Sequence, residues 1–197
     1  WDLCERFNLP RMFYVSDMDV DNVSYREIVE NLTNEFGKKI APFNFPIRED
    51  GNYVGYVNVV SEKAFRWKDK DAVEADIPDY SEEYLEQYRD TLMETVAETS
   101  EEFMDRSFSG DTFSEAEIRS AVRVNIQDGS IVPVECGASN ICRGVYTLLD
   151  DIVKYMPSAD NRSVNGINMK TNEIFEANFD FSKPKSGFIF KTIVDPY

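Results

Sequence analysis

Histidine is absent from all 197 residues. That removes histidine-activated nucleophiles and every histidine-ligated metal site from the chemistry open to this chain. Cysteine is scarce, with Cys4, Cys136 and Cys142 alone. An odd number at scattered spacing predicts reduced thiols and a cytoplasmic setting rather than a disulfide frame. The thiols read as small buried hydrophobes, and Cys136 with Cys142 has no zinc-knuckle spacing. No apolar run approaches the ~20 residues that span a bilayer, and no signal peptide is visible. Positive charge is in deficit, 21 Lys and Arg against 37 Asp and Glu, for a net charge of −16. Such a surface repels phosphate backbones and anionic membranes. No direct nucleic-acid binding and no membrane contact are expected, and partners should be basic or apolar.

What the chain does have is a core-forming composition, 42% hydrophobic and 13% aromatic, enough for one domain or two small ones. It opens on Trp1 rather than Met, which reads as a cut piece of a longer protein. Residues 1–9 read as a helix closed before Pro10. Residues 12–15 are uninterruptedly apolar, the pattern of a strand in the middle of a parallel sheet. A helix is predicted over 24–36, opened by a capping box of Ser24 with Glu27 and ended at Gly37.

From Lys38 the texture changes. Residues 43–47, 53–60, 64–67 and 72–77 are short, aromatic and β-branched, which predicts an antiparallel meander. Three helices should follow. The first is capped by Ser81, with Tyr84, Leu85, Tyr88, Leu92 and Val96 on its apolar face. The second covers 101–108, with Phe103, Met104 and Phe108 as core. The third opens on a capping box of Ser114 with Glu117 and carries Ile118, Ala121, Val122 and Ile126 inward. A second buried strand is expected over 131–136. A helix over 144–156, faced by Val145, Leu148, Leu149, Ile152 and Val153, should then end at Pro157. Residues 158–187 read as a linker with one short hairpin, and 188–194 as a final strand. The fold class is therefore α/β: a framework in two pieces, 1–37 and 131–157, with an α+β subdomain inserted over 38–130.

Both framework strands run into polar tips, Ser16-Asp17-Met18-Asp19 and Gly137-Ala138-Ser139-Asn140. Ligands of α/β sheets collect at such tips. Asp17, Asp19 and Asp21 have the 1-3-5 spacing of a calcium loop, but Asn22 and Ile28 stand where its glycine and glutamate belong. Two readings stay open. In one, a carboxylate accepts from both N1–H and N2–H of a guanine. In the other, Ser16 merely caps the turn and Asp17 and Asp19 are solvated.

The segments "PRMFYVSDMD", "IVPVECGASN" and "GVYTLLDDIVKYMPS" resemble the corresponding segments of bacterial elongation factor G and its relatives, ribosome-protection factors included. "FPIREDGNYVGYVNVVSEKAFRW" resembles the start of that family's inserted subdomain, and "FIFKTIVDPY" the first strand of its following β-barrel, which makes 158–197 a linker plus that strand. The resemblance implies part of a P-loop GTPase-type doubly wound sheet, from a cytoplasmic translation factor that binds and hydrolyses GTP on the ribosome. It places Asp19 as the base-reading aspartate. Ser16 replaces the family's asparagine, and Asp17 its lysine. Gly137, Ala138 and Ser139 match the family's Gly-Ser-Ala with two residues exchanged, so the guanine site reads as degenerate. No G-x-x-x-x-G-K-[ST] loop occurs, so these residues alone should neither hydrolyse GTP nor carry bound GTP or GDP.

Residues 69–117 hold 17 acidic residues against Lys70, Arg89 and Arg106. The resemblance implies that this subdomain meets the ribosomal stalk protein. Candidate contacts are Glu82, Glu83, Glu86, Asp90 and Glu94. The alternative function is a non-hydrolysing paralogue retained as a ribosome-interaction scaffold.

Overall fold

The computed structural model describes every residue except Lys70, Arg162, Phe181, residues 183–188 and residues 195–197. The chain forms two compact units, Trp1–Met156 and Pro157–Tyr197.

The first unit is built round a three-stranded parallel sheet. Its strands are β1 (Phe13–Val15), β2 (Ile40–Pro42) and β7 (Val132–Cys136), in the order β1-β7-β2. All five residues of β7 are buried. β7, not β1, therefore occupies the middle place that the apolar run of residues 12–15 suggested for itself. The residues of β1 are half-buried at the sheet edge. Their apolarity serves a side layer, where Trp1 stacks on Phe36 at 4.0 Å and Phe13 on Phe36 at 5.7 Å. The helices α1 (Asp2–Arg6) and α2 (Tyr25–Phe36) supply that layer. Ser24 caps α2 by accepting from the Glu27 N–H at 3.3 Å, and Gly37 closes it at φ 88°.

β2 is an element the sequence reading missed. Three residues ending in Pro42 give no period, yet each pairs with β7, Ile40 with Val132 and Pro42 with Val134. The parallel sheet thus continues past residue 37, and the insert grows out of it without a linker. Phe43 donates its N–H to the Val134 carbonyl at 3.0 Å and accepts from the Val59 N–H at 2.8 Å.

The expected meander is present as β3 (Asn44–Glu49), β4 (Asn52–Asn58), β5 (Lys63–Lys68) and β6 (Asp71–Ala75), antiparallel in that order. Three helices follow: α3 (Asp79–Ala97), α4 (Glu101–Phe108) and α5 (Glu115–Asp128). The Ser114–Glu117 capping box of α5 is made in both directions. Ser81 does not cap α3. The helix starts two residues earlier, behind the extended Pro78, and Ser81 lies buried inside it. Leu85, Leu92 and Val96 enter the core as expected. On α4 only Phe103 does so, stacked on Phe113 at 5.0 Å, whereas Met104 is partly and Phe108 almost wholly exposed.

Helix α6 (Val145–Tyr155) corrects a second expectation. Leu149, Ile152 and Val153 face outward, and the residues it buries fully are Asp151 and Tyr155. In the second unit, β8 (Val164–Ile167) and β9 (Ile174–Ala177) form the expected hairpin. The strand predicted over 188–194 is not formed across the described residues 189–194, which have no neighbouring strand to complete a ladder. Phe188 lies outside the described residues.

Gly55 faces Arg66 across the β4–β5 pair, and a Cβ there would overlap the Phe65 carbonyl oxygen. Backbone cannot step aside as a flexible side chain can. Gly55→Ala should therefore cost about 2–4 kcal/mol, read as a lowered urea midpoint at unchanged slope.

Candidate functional site: two strand tips at the sheet edge

Parallel pairing sets Val15 opposite Cys136, so the residues after each strand emerge side by side. Gly137 N–H donates to the Val15 carbonyl at 3.0 Å, and Met18 N–H donates to the Gly137 carbonyl at 3.0 Å. The two hydroxyls of Ser16 and Ser139 meet at 2.7 Å. Residues 123 positions apart in sequence thus form one tip. Ser16, Asp17, Asp19, Gly137, Ala138 and Ser139 are all brought together there.

Each loop has its own reason for its shape. In the first, Asp17 takes a left-handed φ of 61°, which aspartate tolerates, and its carbonyl accepts from Val20 N–H at 3.1 Å. Met18 is fully buried and pins the loop from below, which turns Asp19 out to solvent. In the second, Ala138 and Arg143 exchange backbone bonds of 2.8 and 3.1 Å around a one-turn 3₁₀ helix, Ser139–Ile141. Cys142 at φ 56° and Gly144 at φ 82° turn the chain into α6. A side chain at Gly137 would overlap the Tyr14 hydroxyl, and burial pushes that phenol up to about 12.

The geometry leaves few polar groups of the tip free. Asp19 presents a free carboxylate edge, the acceptor pair that guanine N1–H and N2–H require. The bonds that close the second loop use the N–H groups of Gly137, Ala138, Ile141, Cys142 and Arg143 and leave out those of Ser139 and Asn140. Those two N–H groups are the backbone donors left for a ligand oxygen. Ser16 offers little, because its hydroxyl is shared between Ser139 and Asp17, the latter at 3.2 Å. Asp17, Asp19 and Asp21 also crowd negative charge where a nucleotide brings more. Two cavities, of about 510 and 370 Å³, lie elsewhere, the first against Trp1 and Phe36 and the second against Tyr56, Trp67 and Asp151.

The sequence, sorted by family motifs, did not single out two arginines. Arg48, on β3, donates to the carbonyls of Met18 at 2.5 Å and Val20 at 3.3 Å, on either side of Asp19. Arg143, in the second loop, donates to the Tyr53 carbonyl of β4 at 2.9 Å. Each loop is therefore tied to the insert. Beneath them lies a buried polar joint. Asn44 accepts from the Cys136 N–H at 2.7 Å and donates to the Glu135 carboxylate. Glu135 and Asp151 are both buried, and one oxygen of each lacks a donor. Lys154 donates to the other Asp151 oxygen at 3.3 Å. Burial, and then the Asp151 charge, hold the Glu135 carboxyl well above its ordinary range.

The acidic positions of α3 stand apart from this tip in character. Glu82, Glu83, Glu86, Asp90 and Glu94 are all exposed. Among the described residues none of the five enters an ion pair. No group of three or more metal-ligating side chains occurs among the described residues, the Asp17, Asp19, Asp21 spacing included. None of the described helices is long and apolar enough to cross a membrane.

No family model matches the chain. Whole relatives do. Elongation factor G of Thermotoga maritima is 30% identical over all of this chain, and elongation factor G of Thermotoga sp. strain RQ2 is 31% identical over the same span. The chain is related to elongation factor G along its entire length. It spans 29% of the length of these relatives. A crystal structure of a Thermus thermophilus protein superposes on 84% of the chain and 25% of its own, with a TM-score of 0.75 at 28% identity. The mixed α/β framework is thus shared with a solved structure, and the likeness to elongation factor G runs through both strand tips and the insert between them.

The buried joint makes a prediction about pH. Burial raises the Glu135 carboxyl in the folded chain, whereas the unfolded chain ionises it near the ordinary 4.5. The stability it contributes is complete below that value and drains away as pH rises towards the folded-state value. Glu135→Gln replaces the ionisable carboxyl with a neutral amide. Relative to the parent, the variant should gain stability steadily between about pH 5 and 8 in urea titrations. A constant offset across that range would show that Glu135 is ionised in the fold.

Proposed function

We propose that this chain works as part of a ribosome-associated, GTP-hydrolysing translation factor of the elongation factor G kind. Its two contributions are a degenerate guanine-reading tip and an acidic docking face for the ribosomal stalk protein. The phosphate-handling chemistry must come from residues outside these 197, since no phosphate loop occurs in them. The observation that carries the reading is the juxtaposition of Asp19 with the Gly137-Ala138-Ser139 loop, fixed by the Met18–Gly137 bond. An exposed carboxylate opposite an unspent N–H is the donor–acceptor pattern a guanine edge demands, and relatives along the whole chain carry the name of elongation factor G.

The tip's role is to orient a base, and its weakness is physical. A lost hydrogen bond to a base costs about 1–3 kcal/mol, and Asp17 adds repulsion where the family's lysine would attract. Restoring both, as Ser16→Asn with Asp17→Lys, should tighten binding of fluorescent GDP by about tenfold or more over the parent chain, which should bind hardly at all. Micromolar binding by the parent chain would contradict the weakness assigned to Ser16 and Asp17, and no gain in the double variant would count against this site. The spent Ser16 hydroxyl favours a second reading, a non-hydrolysing factor retained as a ribosome scaffold. A decayed phosphate loop in the gene upstream of Trp1 would decide for it.

On α3, Glu82, Glu86, Asp90 and Glu94 follow at intervals of four, so like charges face one another along one edge. Each such pair is unfavourable by a few tenths of a kcal/mol and is relieved by a basic partner. Glu86→Lys should therefore raise the thermal midpoint of the free chain slightly while weakening pull-down of the stalk protein several-fold. Unchanged pull-down would remove α3 as the docking face.

A further inference from the structure

We propose that Arg48 is a positioning residue that holds the Asp19 carboxylate in register with the first turn of α3, so that the base-reading tip and the acidic helix share one support. This rests on the guanine reading of the tip for its purpose, although not for its geometry.

The support is continuous. The guanidinium of Arg48 donates to the carbonyls of Met18 and Val20, at 2.5 and 3.3 Å, and so brackets Asp19. Its other terminal nitrogen donates to the Gly51 carbonyl at 3.1 Å, which fixes the side chain against the β3–β4 turn. The backbone carbonyl of Arg48 accepts from the Tyr80 hydroxyl at 3.0 Å. Tyr80 is the second residue of α3, two positions before Glu82. The pairing register of β3 with β4 shifts between Ile47 and Arg48, which re-aims the arginine out of the strand alternation.

The chemistry explains why an arginine stands there. One terminal nitrogen serves the Met18 and Val20 carbonyls while the other holds the Gly51 carbonyl, and that separation of donors along a planar fork is what lysine's single ammonium lacks. Met18 is already pinned by its buried side chain and by its N–H to Gly137. With its carbonyl held as well, the backbone either side of Asp19 is fixed, and so is the Cα–Cβ bond from which the exposed carboxylate extends.

The experiment is amide hydrogen exchange on the full chain, read at residues 17–21 and at the start of α3. Arg48→Met removes the fork but keeps the aliphatic stem, and should speed exchange at residues 17–21 by about tenfold while α5 is unchanged. Arg48→Lys should fall between the parent and Arg48→Met. Tyr80→Phe deletes one hydroxyl outside the tip, and should speed exchange at the start of α3 and, by a smaller factor, at residues 17–21. Unchanged exchange at 17–21 in Arg48→Met overturns the positioning role, and unchanged exchange there in Tyr80→Phe overturns the link to α3. If Arg48→Met does not fold, Arg48→Lys and Tyr80→Phe decide the two points by the same readout. A parallel titration with fluorescent GDP, made in the Ser16→Asn, Asp17→Lys background that should bind it, separates the questions. Exchange that responds in a chain whose affinity never responds sinks the guanine reading and leaves the support intact.

Discussion

The structure depends on the burial of one short strand. β7 has both faces covered and both edges paired, and its five residues are sealed from solvent. Parallel pairing on either side leaves no freedom of register. Val15 must lie opposite Cys136, and Pro42 opposite Val134. Everything at the tip follows from that alignment, because a slip of one residue would turn Ser139 away from Ser16 and separate the loops. The same strand carries a carboxyl, Glu135, into the interior, so the alignment is held by a polar joint as well as by apolar packing.

The tip is a joint at least as much as a recess. Its hydrogen bonds are mostly turned inward, with hydroxyl to hydroxyl, loop amide to loop carbonyl, and arginine to carbonyl. Donors used to hold two loops together are no longer offered to a ligand. What stays available is the Asp19 carboxylate and the N–H groups of Ser139 and Asn140, and three aspartates within five residues set the local sign of charge. The rigidity of the tip and its shortage of free donors have one cause.

Much of this could be read from residue order alone, because the signals were local. Ser114 with Glu117, Gly37 after Phe36, and the aromatic alternation of the meander each act within a few positions. The two tips were identified from their polar ends, and the pairing of their strands follows from chain topology. What escaped reading was decided by distant partners. Ile40–Pro42 is too short to have a period and is a strand only because β7 lies beside it. Ser81 looked like a cap, but Pro78 sets the helix start and the serine is drawn into the core. Phe108 and Val153 are apolar yet exposed, while Asp151, on the same helix as Val153, is buried with Glu135. Arg48 carries no motif, and its role appears only when Met18, Val20 and Tyr80 arrive around it.

The insertion of the meander and three helices between β2 and β7 has a consequence for the order of events during synthesis. β1 and β2 leave the ribosome early, but neither touches the other in the described sheet. Their common partner is still about ninety residues from being made when β2 ends. The β3-to-β6 ladders, by contrast, join neighbours in sequence and can zip up at once. A nascent chain can therefore carry the β3-to-β6 ladders while β1 and β2 still await β7, and this parallel layer closes only when residue 136 is free.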